Sequence, residues 1–101
     1  MKADYKLVRI DFDNILYIES LKDYIKIHLI NSTHPVVSLS SLKAIEEKLP
    51  ASRFMRIHRS FVVAIDKVDS ISKSTVQLGN TNISVGDQYK EAFKELLLRW
   101  G

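Results

Sequence analysis

The feature that most constrains this chain is the alternation of apolar and polar residues between Tyr5 and Val37. In "YIKIHLI" Ile25, Ile27 and Leu29 share one face while Lys26 and His28 take the other, a period of two that suits a strand and not a helix. β-branched residues fill most apolar positions, as a half-buried pleated surface favours. "KLVRIDF" and "NILYIES" read as the preceding strands, with Asp13-Asn14 as the turn between them. "SLKD" (Ser20–Asp23) reads as a hairpin loop, "NSTHP" as a turn and "VVSL" as a further short strand.

The period changes at Ser40. "SSLKAIEEKLP" sets Leu42, Ile45 and Leu49 at helical spacing behind a serine N-cap and before Pro50, which predicts a short amphipathic helix. "ASRF" reads as a loop feeding "FMRIHRSFVV". From Phe61 on, "FVVAI", "VDSIS", "TVQLG" and "NISV" are four strand candidates, and "GNTN" (Gly79–Asn82) is the strongest hairpin turn. Asp87 is placed to cap a last helix whose Tyr89, Phe93, Leu96, Leu97 and Trp100 form one apolar stripe against the sheets. The expectation is one mainly β domain over residues 1–101, with short antiparallel strands, one short internal helix and a C-terminal helix. A chain of this size buries roughly two thirds of the surface its unfolded form exposes, so it needs no metal or disulfide to hold it.

"FMRIHRSFVV" (54–63) combines burial with charge, because Arg56, His58 and Arg59 stand among Phe54, Met55, Ile57, Phe61, Val62 and Val63. From Arg53 to Lys67, four basic residues face the single acid Asp66, a net +3 that equals the formal net charge of the whole chain. Such a local excess is either the footprint of a polyanion such as nucleic acid or a solvated strand face with incidental arginines. If "RIHRS" is a strand entering a tight bend, Ile57 points inward, Arg56 and His58 face out, and Arg59 and Ser60 lie at the turn. An arginine there can fork onto guanine O6/N7 or a phosphate, and the serine hydroxyl suits phosphate oxygens. Arg56 has a second reading as an internal ion pair, for instance with Glu19 or Asp66.

Enzyme chemistry finds little support. His28, His34 and His58 match no metal-ligand spacing, and the absence of cysteine removes thiolate zinc sites, disulfides and cysteine nucleophiles together. His58, Ser60 and Asp66 superficially compose a triad. Residues two apart on a strand, however, hold their side chains roughly 6–7 Å apart, too far for a nucleophile–base hydrogen bond. None of the three glycines lies in a phosphate-cradling pattern. The chain is therefore expected to be no enzyme and to carry no cofactor or metal. It has no apolar run of membrane-span length and no signal-peptide core near its N-terminus, so a cytoplasmic protein without a membrane role is expected.

Three segments, in order, resemble the LytTR DNA-binding domain found at the C-terminus of many bacterial response regulators. "ILYIESLKDYIKI" is similar to the family's I-x-Y-I-E and following aromatic through Ile15, Tyr17, Ile18, Glu19 and Tyr24. "SLKAIEEKLPASRFMRIHRSFVV" resembles its helix ending in Leu-Pro followed by F-x-R-x-H-R-S-aromatic-x-V, through Leu49, Pro50, Phe54, Arg56, His58, Arg59, Ser60, Phe61 and Val63. "ISVGDQYKEAF" resembles the segment before the terminal helix.

The resemblance implies an elongated stack of small antiparallel β-sheets that reads double-stranded DNA with loops and strand ends entering successive major grooves. By that analogy Lys22, Asp23 and Tyr24 touch DNA at one place, His58, Arg59 and Ser60 at a second, and Gly86, Asp87 and Gln88 at a third. It also implies an upstream receiver domain in a longer protein and binding as a homodimer on repeated half-sites. Asp87 stands where many members carry arginine, Ala64 where asparagine is frequent and Ser84 where proline is common. A carboxylate facing a phosphate is repelled, so Asp87 either accepts from a cytosine amine or caps its helix, and capping is the favoured reading. The alternative from another class is a β-rich protein-interaction module whose basic strand docks an acidic partner. RNA or single-strand binding ranks below both, because Tyr24 is the one good stacking candidate.

Overall fold

A computed structural model describes the backbone of residues 2–3, 6–7 and 9–100 and the side chains of residues 9–100. Two short strands, β1 (Lys2–Ala3) and β2 (Lys6–Leu7), pair antiparallel at the start. Of the expected strand "KLVRIDF" only Lys6–Leu7 forms, while Val8 lies outside the described residues. Phe12–Asn14 is instead a 3-10 turn closed by the Asn14 N–H on the Asp11 carbonyl at 3.0 Å, so the Asp13-Asn14 turn signal extends back over Phe12.

The main sheet has the order β5-β4-β3-β7-β6 and is antiparallel throughout. Its strands are β3 (Ile15–Ser20), β4 (Ile25–Leu29), β5 (Val36–Ser38), β6 (Phe54–His58) and β7 (Phe61–Ala64). Between β5 and β6, α1 (Leu42–Glu46) starts where the Ser41 hydroxyl accepts from the Ala44 N–H at 3.1 Å. A second sheet, order β10-β9-β8, is built from β8 (Ser70–Ser72), β9 (Thr75–Leu78) and β10 (Thr81–Ser84). The chain closes with α2 (Lys90–Arg99), giving overall dimensions of 40 × 26 × 22 Å.

The alternating pattern predicts a half-buried first strand, yet β3 is covered on both faces. Ile15, Ile18, Ile25, Ile27, Val62 and Phe54 pack with Leu42, Ile45 and Leu49 from the α1 region. Tyr17, Ile57 and Val63 pack on the other side with Val76, Leu78 and Ile83 of the second sheet and Leu96 of α2. Ile15 and Ile18 are three apart and belong on opposite faces of a regular strand. The register slips between Ile15 and Tyr17, and this bulge returns Ile15 to the face of Ile18.

The Gly79–Asn80 loop between β9 and β10 has two residues, with Gly79 at φ 59°. Positive φ at the first position alone is what a type II′ hairpin turn requires. The Gly79 N–H is held by the Asp69 carboxylate at 2.7 Å. In α2, Leu96 is fully buried and Phe93 and Trp100 pack beside it, but Leu97 is 47% exposed and Leu98 87% exposed. The expected stripe is thus one column narrower than its sequence spacing implies, because the helix lies against the sheets along Phe93, Leu96 and Trp100 only.

Candidate nucleic-acid interface

The β6–β7 turn consists of Arg59 and Ser60. Approaching it, the pairing slips by one residue, from Arg56 opposite Val62 to His58 opposite Phe61, which leaves Ile57 as the extra residue of a bulge. Cross-strand partners share a face, so the bulge turns His58 away from the Arg56 side and onto the Phe61 ring, which it meets edge-on at 5.5 Å. Ile57 is fully buried and anchors the bend. The Ser60 N–H donates to His58 Nδ1 at 3.0 Å, which places the proton of the neutral imidazole on Nε2. His58 therefore shapes the bend through an acceptor and keeps one donor. The contact also uses the backbone of Ser60, so the two residues do not form a nucleophile–base pair.

Arg56 points back into the protein. Its guanidinium donates to the Arg59 carbonyl at 2.7 Å and to the His58 carbonyl at 3.4 Å, faces Glu46 at 3.6 Å, and lies 5.7 Å from the Tyr89 ring centre. Neither Glu19 nor Asp66 is its partner. Glu19 instead meets His28 at 3.2 Å, with His28 stacked on Tyr17 at 4.2 Å. Glu46 and Tyr89 carry no short-range signal linking them to Arg56, since one sits on the polar face of α1 and the other continues the apolar stripe in sequence.

The rest of the basic window is also neutralised from within. Arg53 is bonded to Asp13 and lies 3.8 Å from Asp66, and Lys67 meets Asp66 at 3.3 Å. Asp13 and Glu46 come from outside the window, so a local charge count overstates the free charge. Arg59 differs: it is exposed and its side chain has no partner among the described residues. Only one of the four cations in the window thus lacks an internal partner among the described residues.

Backbone hydrogen bonds join the three expected contact regions along one edge. The Ser20 N–H donates to the Ser60 carbonyl at 2.8 Å, tying the bend to the end of β3 and its loop, which is closed by the Leu21 N–H on the Tyr24 carbonyl at 2.8 Å. Lys22 and Asp23 are exposed at that loop and Tyr24 is half-buried. On the other flank the Gly86 N–H donates to the Ile57 carbonyl at 2.9 Å. His58, Arg59, Gly86, Asp87, Gln88 and Tyr89 line one shallow cleft. A Cβ on Gly86 would lie 3.2 Å from the Tyr89 ring, a tight contact, and 3.7 Å from the His58 backbone, an ordinary one, so glycine leaves room for the Tyr89 ring.

The expected Asp87 cap is not made. A 3-10 turn over Asp87–Tyr89 precedes α2, whose N-cap is Tyr89, and neither has a side-chain cap bond. The Asp87 carboxylate is 98% exposed, with Lys90 at 3.9 Å. The extra turn shifts the helix start two residues past the position a capping aspartate at 87 would set.

Comparison with known proteins agrees with this architecture. A family model described as the LytTr DNA-binding domain matches residues 5–98. The sensory transduction protein LytT of Bacillus subtilis (strain 168) is 31% identical over 97 residues, covering 90% of this chain and 39% of that protein. LytT of Bacillus anthracis is 28% identical over 103 residues, covering 96% of this chain and 41% of its own length. The chain thus spans about two fifths of these relatives. The fold matches a solved LytTr DNA-binding domain of a methyl-accepting/DNA response regulator from Bacillus cereus with a TM-score of 0.79 and 24% identity, covering 95% of this chain and 92% of that one.

Proposed function

The chain belongs to the LytTR DNA-binding domain family, and from that premise we propose that it reads double-stranded DNA in a sequence-specific way through the edge that carries the Arg59 bend. The observation that carries this reading is the contrast between two neighbouring arginines. Arg56 is spent on the carbonyls of the bend, whereas Arg59 projects from it with no internal partner among the described residues. A rigid turn presenting one free guanidinium suits a major groove, where a fork onto guanine O6/N7 supplies discrimination. Lys22, Asp23 and Tyr24 flank it in one direction and Gly86, Asp87 and Gln88 in the other, entering the groove or meeting its walls. His58 and Ser60 hold the bend and offer donors to phosphate oxygens. Arg56 acts as the brace behind this surface.

The domain serves as the output module of a bacterial two-component response regulator, bound as a homodimer on repeated half-sites in the cytoplasm. An upstream receiver domain fits the length by which LytT relatives exceed this chain. Among the described residues no helix is long and apolar enough to cross a membrane. The test is a salt titration on a duplex selected for binding. The log–log slope of affinity against salt should correspond to roughly 3–6 phosphates per domain, with a scrambled duplex bound far more weakly. Equal affinity for selected and scrambled duplexes refutes the sequence-specific reading.

A further inference from the structure

Lys73 is the one non-glycine residue with positive φ among the described residues, at 55°. It occupies the two-residue turn Lys73–Ser74 between β8 and β9. Glycine adopts this conformation freely and lysine only at a cost, because its Cβ crowds the following carbonyl. Folding alone therefore favours another residue here. The Lys73 side chain is exposed and has no hydrogen-bond or ion-pair partner among the described residues, and Ser72 and Ser74 beside it are exposed as well.

The position of this turn supplies a use for the charge. The Val85 N–H donates to the Ser74 carbonyl at 2.8 Å, just before the Gly86 N–H donates to the Ile57 carbonyl at 2.9 Å. The turn is therefore the next chain segment along the interface edge, whose order runs from the Lys22 loop through the Arg59 bend and Gly86 to Lys73. Each hydrogen-bonded step separates neighbouring chains by about 4.8 Å, so Lys73 lies roughly 10 Å beyond the bend. B-DNA's major groove is about 12 Å wide, so its wall lies about 6 Å from the groove centre, and a long lysine side chain on a turn roughly 10 Å from the bend can reach back to the phosphates of that wall.

We propose that the Lys73–Ser74 turn is a phosphate-binding site, with Lys73 and Lys22 gripping the sugar–phosphate backbone on either side of the groove that the Arg59 bend enters. Ser72 and Ser74 offer hydroxyl donors to the same phosphate. The inference rests on the DNA-reading function above, and adds a fourth contact region to it. As a phosphate contact it carries affinity without sequence preference.

The test compares wild type, Lys73→Gln, Lys73→Gly and Lys73→Arg on a duplex selected from a random pool and on unrelated duplexes. Losing one phosphate contact lowers the log–log salt slope by about 0.9, which amounts to about an eightfold loss of affinity at 0.1 M salt. Lys73→Gln and Lys73→Gly should show that loss equally on every duplex, and Lys73→Arg should stay within about twofold of wild type. Lys73→Gly relieves the backbone strain, so it should melt at or above the wild-type temperature while binding less tightly, which separates charge from folding. Wild-type affinity and slope in both Lys73→Gln and Lys73→Gly overturn the inference and leave the DNA-reading function standing. Failure of the wild type to bind any duplex overturns both.

Discussion

Arg56→Ala tests whether the most buried cation of "FMRIHRSFVV" is a brace or a DNA contact. The side chain donates to the Arg59 carbonyl at 2.7 Å and more weakly to His58 at 3.4 Å. One good hydrogen bond from a charged donor is worth about 1.5–3 kcal/mol. Its Glu46 partner is half exposed, so that pair adds about 0.2–1 kcal/mol, and the Tyr89 ring about 0.5–1 kcal/mol. Truncation should therefore cost about 2–5 kcal/mol. For a domain of this size each kcal/mol moves the melting temperature by about 4–8 °C, so a loss of at least about 8 °C is expected by calorimetry. Lys at this position keeps the charge but not the planar fork and should recover less than half of the loss. The double-mutant cycle with Glu46→Gln should give a coupling below about 1 kcal/mol. A melting shift under about 2 °C, together with a salt slope reduced by about 0.9 on DNA, would show that Arg56 spends its charge on phosphate and would refute the brace.

Arg59→Ala should leave the melting temperature within about 3 °C. On the selected duplex it should cost about 1–3 kcal/mol and relax preference at one base pair; an equal loss on all sequences would demote Arg59 to a phosphate contact. Leu96→Ala, in the fully buried position of α2, should lose about 2–5 kcal/mol in urea unfolding, whereas Leu98→Ala on the exposed side should stay within about 0.5 kcal/mol. Gly79→Ala meets only Leu16 at 3.8 Å, so its cost is conformational, about 1–2 kcal/mol, and a neutral result would remove the turn's dependence on positive φ.

Most of the strands, both helices and the motif-bearing bend were legible because hydrophobic period and turn residues act locally, whereas Phe12–Asn14 of "KLVRIDF" and its turn forms a 3-10 turn. Three features escaped because they arise between distant segments. Bulges at Leu16 and Ile57 reset which residues share a face, and no residue type announces them. The charge of the 53–67 window is cancelled by Asp13 and Glu46, which the fold brings in from other elements. The Asp87 cap is not made because the backbone inserts a 3-10 turn first, right after Gly86 bonds the Ile57 carbonyl. The candidate site was half legible: the three expected contact regions came from the family resemblance, while the proposed Lys73 contact required both the backbone angle and the hydrogen bonds that line the edge.

The proposed function requires that one edge, from the Lys22 loop through the Arg59 bend to Gly86 and Lys73, meet duplex DNA. Amide chemical-shift mapping during titration with a selected duplex tests it most directly. The largest shifts are expected at residues 21–24, 58–60, 72–74 and 86–88, with the exposed side of α2 and the β5 edge unmoved. Shifts concentrated on Leu97–Leu98 or on Val36–Leu39, with the Arg59 bend silent, would contradict it.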